Sequence, residues 1–425
     1  MLKTFSAAAV TLVAAAAAAP ASAWTPPTTL SNADEANVLA QGAFGGSVLT
    51  GWLKPAAELS TALGAPQPIT TADPYEKVWD FGADSAGGVV ALTVRRHKPV
   101  QRIRARIVLA GGTRVKAYTI SDAHHSATQP RLAVAADGTA VAAWQWHDAA
   151  GWRVQAAIRR PGQPRFDAPQ TVSPPAPGQL RPTLNVAAGD GARAALTWQV
   201  QSGTDASLHV LTATDATFGA DQVLPDGGSW ADVAPAVGAD GAVHVAYLAQ
   251  PAGTTSLRVA SGTAGAPLGA PTVLSTGGKG TSSGPQVAAA FSADGTATVA
   301  WAKPGQRYEE GGTLEVFTRA PGGGFGAAQT VATDAEGLSL AGGPGASAVL
   351  AWMRNTASKG IRWVTEAVTR PAAGGPFGAG ATLSDTSKNA LWPNVAMTPA
   401  GDAVAVWVTN TDGSGGGTPT AAINR

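Results

Sequence analysis

Short apolar runs recur along this chain at a near-constant interval, and each ends on a large side chain. Trp52, Val94, Trp144, Trp198, Tyr247, Trp301, Trp352 and Trp407 close these runs at spacings of 42 to 55 residues. A turn containing glycine stands six or seven residues before each aromatic member. One copy reads Pro130-Arg-Leu-Ala-Val-Ala-Ala-Asp137-Gly138-Thr-Ala-Val-Ala-Ala-Trp144, then a polar loop, then a further run from Trp152 to Arg159. Two apolar runs joined by Asp-Gly predict a hairpin, because a type I′ turn needs positive φ at both central residues. Asp240-Gly241 and Asp294-Gly295 repeat the signal, and Asp190-Gly191 and Gly401-Asp402 are close variants. The runs are almost continuously apolar rather than alternating, so the strands are expected to be covered on both faces. Small Ala and Val side chains suit strands that crowd toward a common axis.

A second signature follows each hairpin: an aromatic residue or Leu, then Gly-Ala, then a hydrophobic residue before Ser or Thr. Leu63-Gly-Ala-Pro-Gln-Pro-Ile-Thr70, Leu268-Gly-Ala-Pro-Thr-Val-Leu-Ser275 and Phe377-Gly-Ala-Gly-Ala-Thr-Leu-Ser384 carry it, with Phe218 and Phe325 opening two variants. It reads as an outermost strand. Trp24-Thr-Pro-Pro-Thr-Thr-Leu-Ser31 matches this strand alone, whereas the last copy ends at Arg425 without one.

A period near fifty with four strands per copy is that of a propeller blade. The sequence therefore predicts an all-β, eight-bladed β-propeller closed by its N-terminal strand, with seven blades as the alternative. Residues 24–32 supply the outer strand of the last blade. The blades fall near 33–73, 74–122, 123–175, 176–226, 227–277, 278–334, 335–385 and 386–425. Residues 1–23 have the layout of a secretory signal: a positive start at Met1 to Lys3, an apolar stretch, and Ala21-Ser22-Ala23 as cleavage site. The mature chain is expected to be secreted, working outside the cell or at its surface, and no later run is long enough to span a membrane.

There is no cysteine, so neither disulfides nor thiolate metal sites enter. A net charge of +1 speaks against nucleic acid as a partner, since such proteins present a strongly basic face. No P-loop, dinucleotide glycine loop, nucleophile elbow or zinc-protease motif occurs, and no cofactor is implied.

The chain resembles the β-propeller repeat proteins secreted by bacteria, and loosely the sialidase-like propellers. The repeat carries the resemblance across residues 24–425. A sialidase Asp-box would read Ser-x-Asp-x-Gly-x-Thr-Trp, whereas Ser292-Ala-Asp294-Gly295 has Asp and Gly adjacent on the inner hairpin. The Phe-Gly-Ala and Leu-Gly-Ala-Pro openings of these outer strands are similar to the repeats of integrin-like propellers, but their Asp-x-Asp-x-Asp-Gly calcium loops are missing, so calcium is not implied.

In a propeller, the loops between blades share a face with the loops joining second and third strands, and ligands sit there over the central channel. Asp137, Asp190, Asp240 and Asp294 belong to the turns of the other face and are read as turn formers. Trp79, Trp230 and Trp392 precede inner strands on the ligand face and are not required by the repeat. Aromatic rings at such a rim suit stacking on sugars or packing against a protein partner; plugging the channel is the scaffold alternative. Arg131 and Arg181 are inward-strand guanidinium candidates. Arg102, Arg104 and Arg106 share one strand face, read as a solvated outer strand or as a row for an anionic polysaccharide. Asp122, His124, His125, His147 and Asp148 gather polar chemistry on neighbouring loops without metal-ligand spacing, and no metal site is assigned. Tyr308, Glu309 and Glu310 form the densest polar cluster; in the sialidase-like reading they would be the catalytic groups.

The expected function is non-catalytic binding of an extracellular glycan or protein at Trp79, Trp230, Trp392, Arg131 and Arg181, by a monomer. A glycoside-acting enzyme is the alternative.

Overall fold

A computed structural model describes residues 24–30, 76–97, 100–122, 124–175, 184–202, 205–227, 232–250, 254–277, 286–304, 312–357, 362–410 and 417–424, together with the strands within 38–68. Every regular element among them is a β-strand. The strands meander in antiparallel sheets whose order follows the order in the chain, except where the first strand of the chain joins the sheet of the last. The copy quoted above forms Ser126–Val134, Ala140–Asp148, Gly151–Arg159 and Gln170–Thr171. Its hairpin turns at the Asp-Gly pair, with Val134 opposite Ala140 and Gly138 at φ 89°. Residues 140–146 are all buried, as a strand covered on both faces requires.

The first strands of the sheets lie beside one another in chain order: Val38–Phe44, Glu76–Ala83, Ser126–Val134, Asn185–Gly189, Val233–Val237, Val287–Phe291, Gln329–Gly342 and Asn389–Met397. Asn389–Met397 also neighbours Val38–Phe44, so the circuit returns to its start. Sheets radiating from such a circuit are a β-propeller arrangement. Thr28–Thr29 pairs antiparallel with the chain's final strand, Thr418–Asn424, Thr28 facing Ala421 and Thr29 facing Thr420. Trp24 adds a bridge to Asn424.

The expected boundary between residues 334 and 335 is crossed by a single strand, which changes its pairing partner at Ala335. Gln329–Gly342 runs on without a break, pairing first with Gly312–Arg319 and then with Ala348–Asn355. Two repeats therefore share one continuous strand.

The recurring aromatics explain how the sheets stack. Trp144, Trp198, Tyr247, Trp301, Trp352 and Trp407 are each at most 1% exposed. Each sits on a second strand and packs on the third strand of the preceding sheet: Trp144 clusters with Ile103 and Ala105, Trp198 with Val154 and Ala156, Trp301 with Leu257 and Val259. A wedge between diverging sheets widens outward, and a large ring fills it. Nearer the axis no room remains. A Cβ on Gly342 would collide with the carbonyl oxygen of Phe291 in the neighbouring first strand.

Candidate ligand-binding mouth of the channel

Several first strands carry a β-bulge at the same level, four residues before the end of their hairpin ladder. The register shifts between Val78 and Asp80, Thr128 and Arg131, Glu336 and Ser339, and Leu391 and Asn394. A bulge leaves an extra residue unpaired and re-aims its side chain. Gln129 at φ 51°, Gly337 at φ 62° and Trp392 at φ 54° occupy it in the left-handed region. Glycine is the least strained choice there, and at residue 337 a Cβ would also meet Met353 Cε at 2.5 Å.

Two bulges instead present tryptophan. Trp79 is 36% exposed and Trp392 39%, the two exposed tryptophans among the described residues. Their strands, Glu76–Ala83 and Asn389–Met397, flank Val38–Phe44 on either side. More than a third of each residue's surface stays in water, and Trp392 adds the roughly 1–2 kcal/mol cost of a bulky residue in the left-handed region.

Just past the bulge, side chains clasp one first strand to the next. Asp80 Oδ2 accepts the N–H of Leu132 at 2.8 Å, and Ser339 Oγ accepts that of Val395 at 3.1 Å. Arg131 Nε donates to the carbonyl of Leu184 at 3.1 Å, and Asn185 Nδ2 to that of Val233 at 3.1 Å. Neighbouring first strands do not form a ladder with each other, so their inward main-chain groups need such partners. Arg131 is half-buried and faces Asp80, whose carboxyl it stabilises in the charged form. Burial dominates nevertheless: against the N–H bonds from Leu132 and Phe81 and the Arg131 charge, it pushes Asp80 up to about 6. Burial likewise raises Asp232, which accepts the N–H of Gln286 at 2.7 Å. Sequence reasoning passed over Asp80 because an aspartate beside a tryptophan carries no motif; its burial emerges only when the next sheet is in place.

The basic row lies elsewhere and is built differently from expectation. Arg104 and Arg106 belong to Val100–Val108, a third strand covered by Arg114–Thr119 rather than an outer one. Both pair with Glu76, at 3.0 and 2.8 Å. Burial would raise this carboxyl, but hydrogen bonds from Arg106 and Thr93 and the two guanidinium charges hold it below its ordinary value.

On the neighbouring rim, Asp122 accepts the N–H groups of His124 and His125 and the Nδ1 of His125, at 2.6 to 3.2 Å. Asp148 pairs with Arg153 at 3.2 Å. These carboxylates are engaged within their own loops, and among the described residues no three His, Asp or Glu side chains converge on a metal position. Trp230, Arg181, Tyr308, Glu309 and Glu310 lie outside the described residues.

A cavity of about 730 Å³ opens among the Asp-Gly turns, lined by Val134, Asp190, Val237, Phe291 and Met397, and reaches up to Ser339 and Asn394 beside the bulges. It is the channel seen from the turn end. Its walls are mostly the small apolar side chains that every repeat supplies, so the information specific to a ligand sits at the tryptophan end. Asp137 and Asp190 in these turns lock neighbouring hairpins together: Asp190 Oδ1 accepts the N–H of Asp137 at 3.0 Å, and Asp137 Oδ2 that of Gly191 at 2.7 Å.

No family model and no curated protein sequence matches the chain. Among solved structures it is similar to a prolyl endopeptidase, at 12% identity over 89% of this chain and 53% of that one, with a TM-score of 0.47. The chain thus spans about half the length of that enzyme. A protein of unknown function from Dyadobacter fermentans matches at 11% identity over 82% and 93% of the two chains, TM-score 0.43. The NanB sialidase from Streptococcus pneumoniae matches at 6% identity over 95% and 94%, TM-score 0.40. Likeness at this level says nothing about chemistry. Among the described residues no helix is long and apolar enough to cross a membrane.

Proposed function

We propose that this chain is a secreted β-propeller of eight blades that binds an extracellular glycan, without transforming it, at the tryptophan end of its channel. The circuit of first strands and the pairing of Thr28–Thr29 with Thr418–Asn424 support the blade count and closure by the N-terminal strand. One observation carries the binding reading: Trp79 and Trp392 stand exposed at first-strand bulges, flanking one strand, and at the position of Trp392 other bulges carry glycine or glutamine. Indole faces stack on the apolar faces of sugar rings, while their N–H groups reach hydroxyls. Asp80 and Asp232, the carboxyls that burial raises, each accept a backbone N–H of the next sheet, whereas a glycosidase needs two carboxyl groups facing each other across the scissile bond.

The experiment is a glycan array probed with the parent protein and with the double variant Trp79→Ala, Trp392→Ala. Binding by the parent that the double variant loses is the expected result. Equal binding by both, or none by the parent, removes the glycan reading and leaves a protein ligand to be sought.

A further inference from the structure

In the sheet of Asn185–Gly189, three side chains form an arrangement that the repeat does not require. The third strand, Asp205–Thr214, carries Ser207 and His209 two residues apart and so on one face. The fourth strand, Gln222–Leu224, places Val223 opposite His209, with Asp221 just before it. Ser207 Oγ lies 2.9 Å from His209 Nε2. His209 Nδ1 lies 2.8 and 3.0 Å from the two carboxylate oxygens of Asp221. A carboxylate only accepts, so Nδ1 carries the proton, and in the neutral ring Nε2 then accepts from the Ser207 hydroxyl. The imidazole stacks on Trp198, centroids 5.2 Å apart and planes 13° from parallel, which fixes its orientation.

The corresponding position in other sheets has a structural task. Trp144 Nε1 donates to Gln155 at 3.0 Å, and Trp352 Nε1 donates to Glu366 at 3.0 Å. His209 lies opposite Trp198 in the same way, yet the indole N–H of Trp198 is buried without a partner. The histidine leaves that donor unsatisfied while both of its own nitrogens are held by Ser207 and Asp221. Trp301 also lacks a partner, but there Glu315 is engaged by Lys303 and Ser275 in an ordinary ion pair.

We propose that Ser207, His209 and Asp221 form a nucleophilic triad that hydrolyses esters of short acyl groups, independently of ligand binding at the channel mouth. Nucleophile, base and orienting carboxylate are at hydrogen-bond distance in the required order, and the tautomer is the one general-base catalysis needs. Ser207 Oγ attacks the ester carbonyl as its proton passes to His209 Nε2, and the alkoxide leaves as alcohol with that proton. Water then gives a proton to His209 and its oxygen to the acyl carbon, and the carboxylic acid departs as Ser207 recovers its proton. Asp221 holds the imidazole and steadies its charged form. The side chains are half-buried at the sheet margin, and Val223, 55% exposed, offers a small apolar surface beside them. An open site with one valine suits an acetyl-sized group.

The full-length protein is treated with a fluorophosphonate probe, and the modified peptide is identified by mass spectrometry. An adduct on Ser207 is expected. It should be absent in Ser207→Ala and should form at least ~100-fold more slowly in His209→Gln, with Asp221→Asn intermediate. Ser256→Ala, which alters the matching position in the next sheet, should label like the parent, and p-nitrophenyl acetate hydrolysis should follow the same order. Thermal melts of His209→Gln and Asp221→Asn separate loss of the base from loss of the fold. No adduct on Ser207, or an adduct formed equally fast in a folded His209→Gln, overturns the proposal.

Discussion

Asp80 in one sheet accepts the backbone N–H of Leu132 in the next at 2.8 Å, and does so fully enclosed. This bond joins two first strands that have no ladder of their own. Its acceptor is a carboxyl that burial pushes from 3.8 up to about 6. A raised carboxyl pKa means the folded state holds its proton more tightly than the unfolded chain. The stabilising contribution is therefore complete below about pH 3.8 and is lost as pH rises through about 6. The shift corresponds to about 3 kcal/mol. Denaturation of the parent at pH 4 and pH 7, compared with Asp80→Asn, should reveal a fall of that order in the parent and none from this site in the variant. Equal pH slopes would dismiss the assignment.

His244 titrates in the opposite sense. It is enclosed by Phe291 and Phe325, with Arg319 Nη1 at 2.6 Å from Nε2 and Ser261 Oγ at 2.7 Å from Nδ1. Burial first, and the Arg319 charge second, lower it from 6.5 to about 4. Its contribution is complete above pH 6.5 and lost as pH falls toward 4, by about 3 kcal/mol. His244→Gln should be less stable than the parent at pH 7, and the gap should narrow on acidification. A gap independent of pH would contradict the neutral, enclosed imidazole.

Trp301 fills the wedge between two sheets with no exposure. Trp301→Ala should lower unfolding free energy by about 3–5 kcal/mol, the usual cost of emptying a large aromatic site. Chemical denaturation measures it, and a loss below about 1 kcal/mol would show that the aromatic repeat is not what holds the sheets together.

Trp392 separates stability from function. Its φ of 54° is one that glycine adopts freely, and the equivalent bulge at residue 337 is already glycine. Trp392→Gly should melt within about 1 kcal/mol of the parent yet lose ligand binding. A large loss of stability would assign the indole to the scaffold instead.

Much of the architecture was legible because it recurs. Glycine-containing turns, apolar second strands and a large residue at the end of most of them recur from sheet to sheet, so errors in one copy are corrected by the next. Even Thr28–Thr29 could be placed beside the final strand from its composition alone. What could not be read depends on neighbours far away in the chain. Nothing local tells Arg104 and Arg106 that Glu76, some 30 residues earlier, will meet them at 2.8 to 3.0 Å. Asp80 and His209 are equally silent, since one acquires its burial and the other its partners only when strands assemble. The outer strand after Phe325 carries the expected signature, but no turn residue separates it from the next copy, so one strand serves both and changes partner at Ala335.

Closure by the N-terminal strand has its own test. Deleting residues 24–30 strips Thr418–Asn424 of its outer partner, leaving it paired only with Ala403–Asn410, and exposes a strand edge. The shortened protein should melt lower than the parent and self-associate in light scattering. Unchanged melting and a monomer would speak against a closed ring.

The most direct measurement is calorimetric titration of the glycan found on the array into the parent, Trp79→Ala and Trp392→Ala, all confirmed folded. Each single variant should bind at least ~10-fold more weakly, the effect of losing about 1.4 kcal/mol of stacking. Affinities equal to the parent's in both variants would contradict a tryptophan-lined mouth as the binding site.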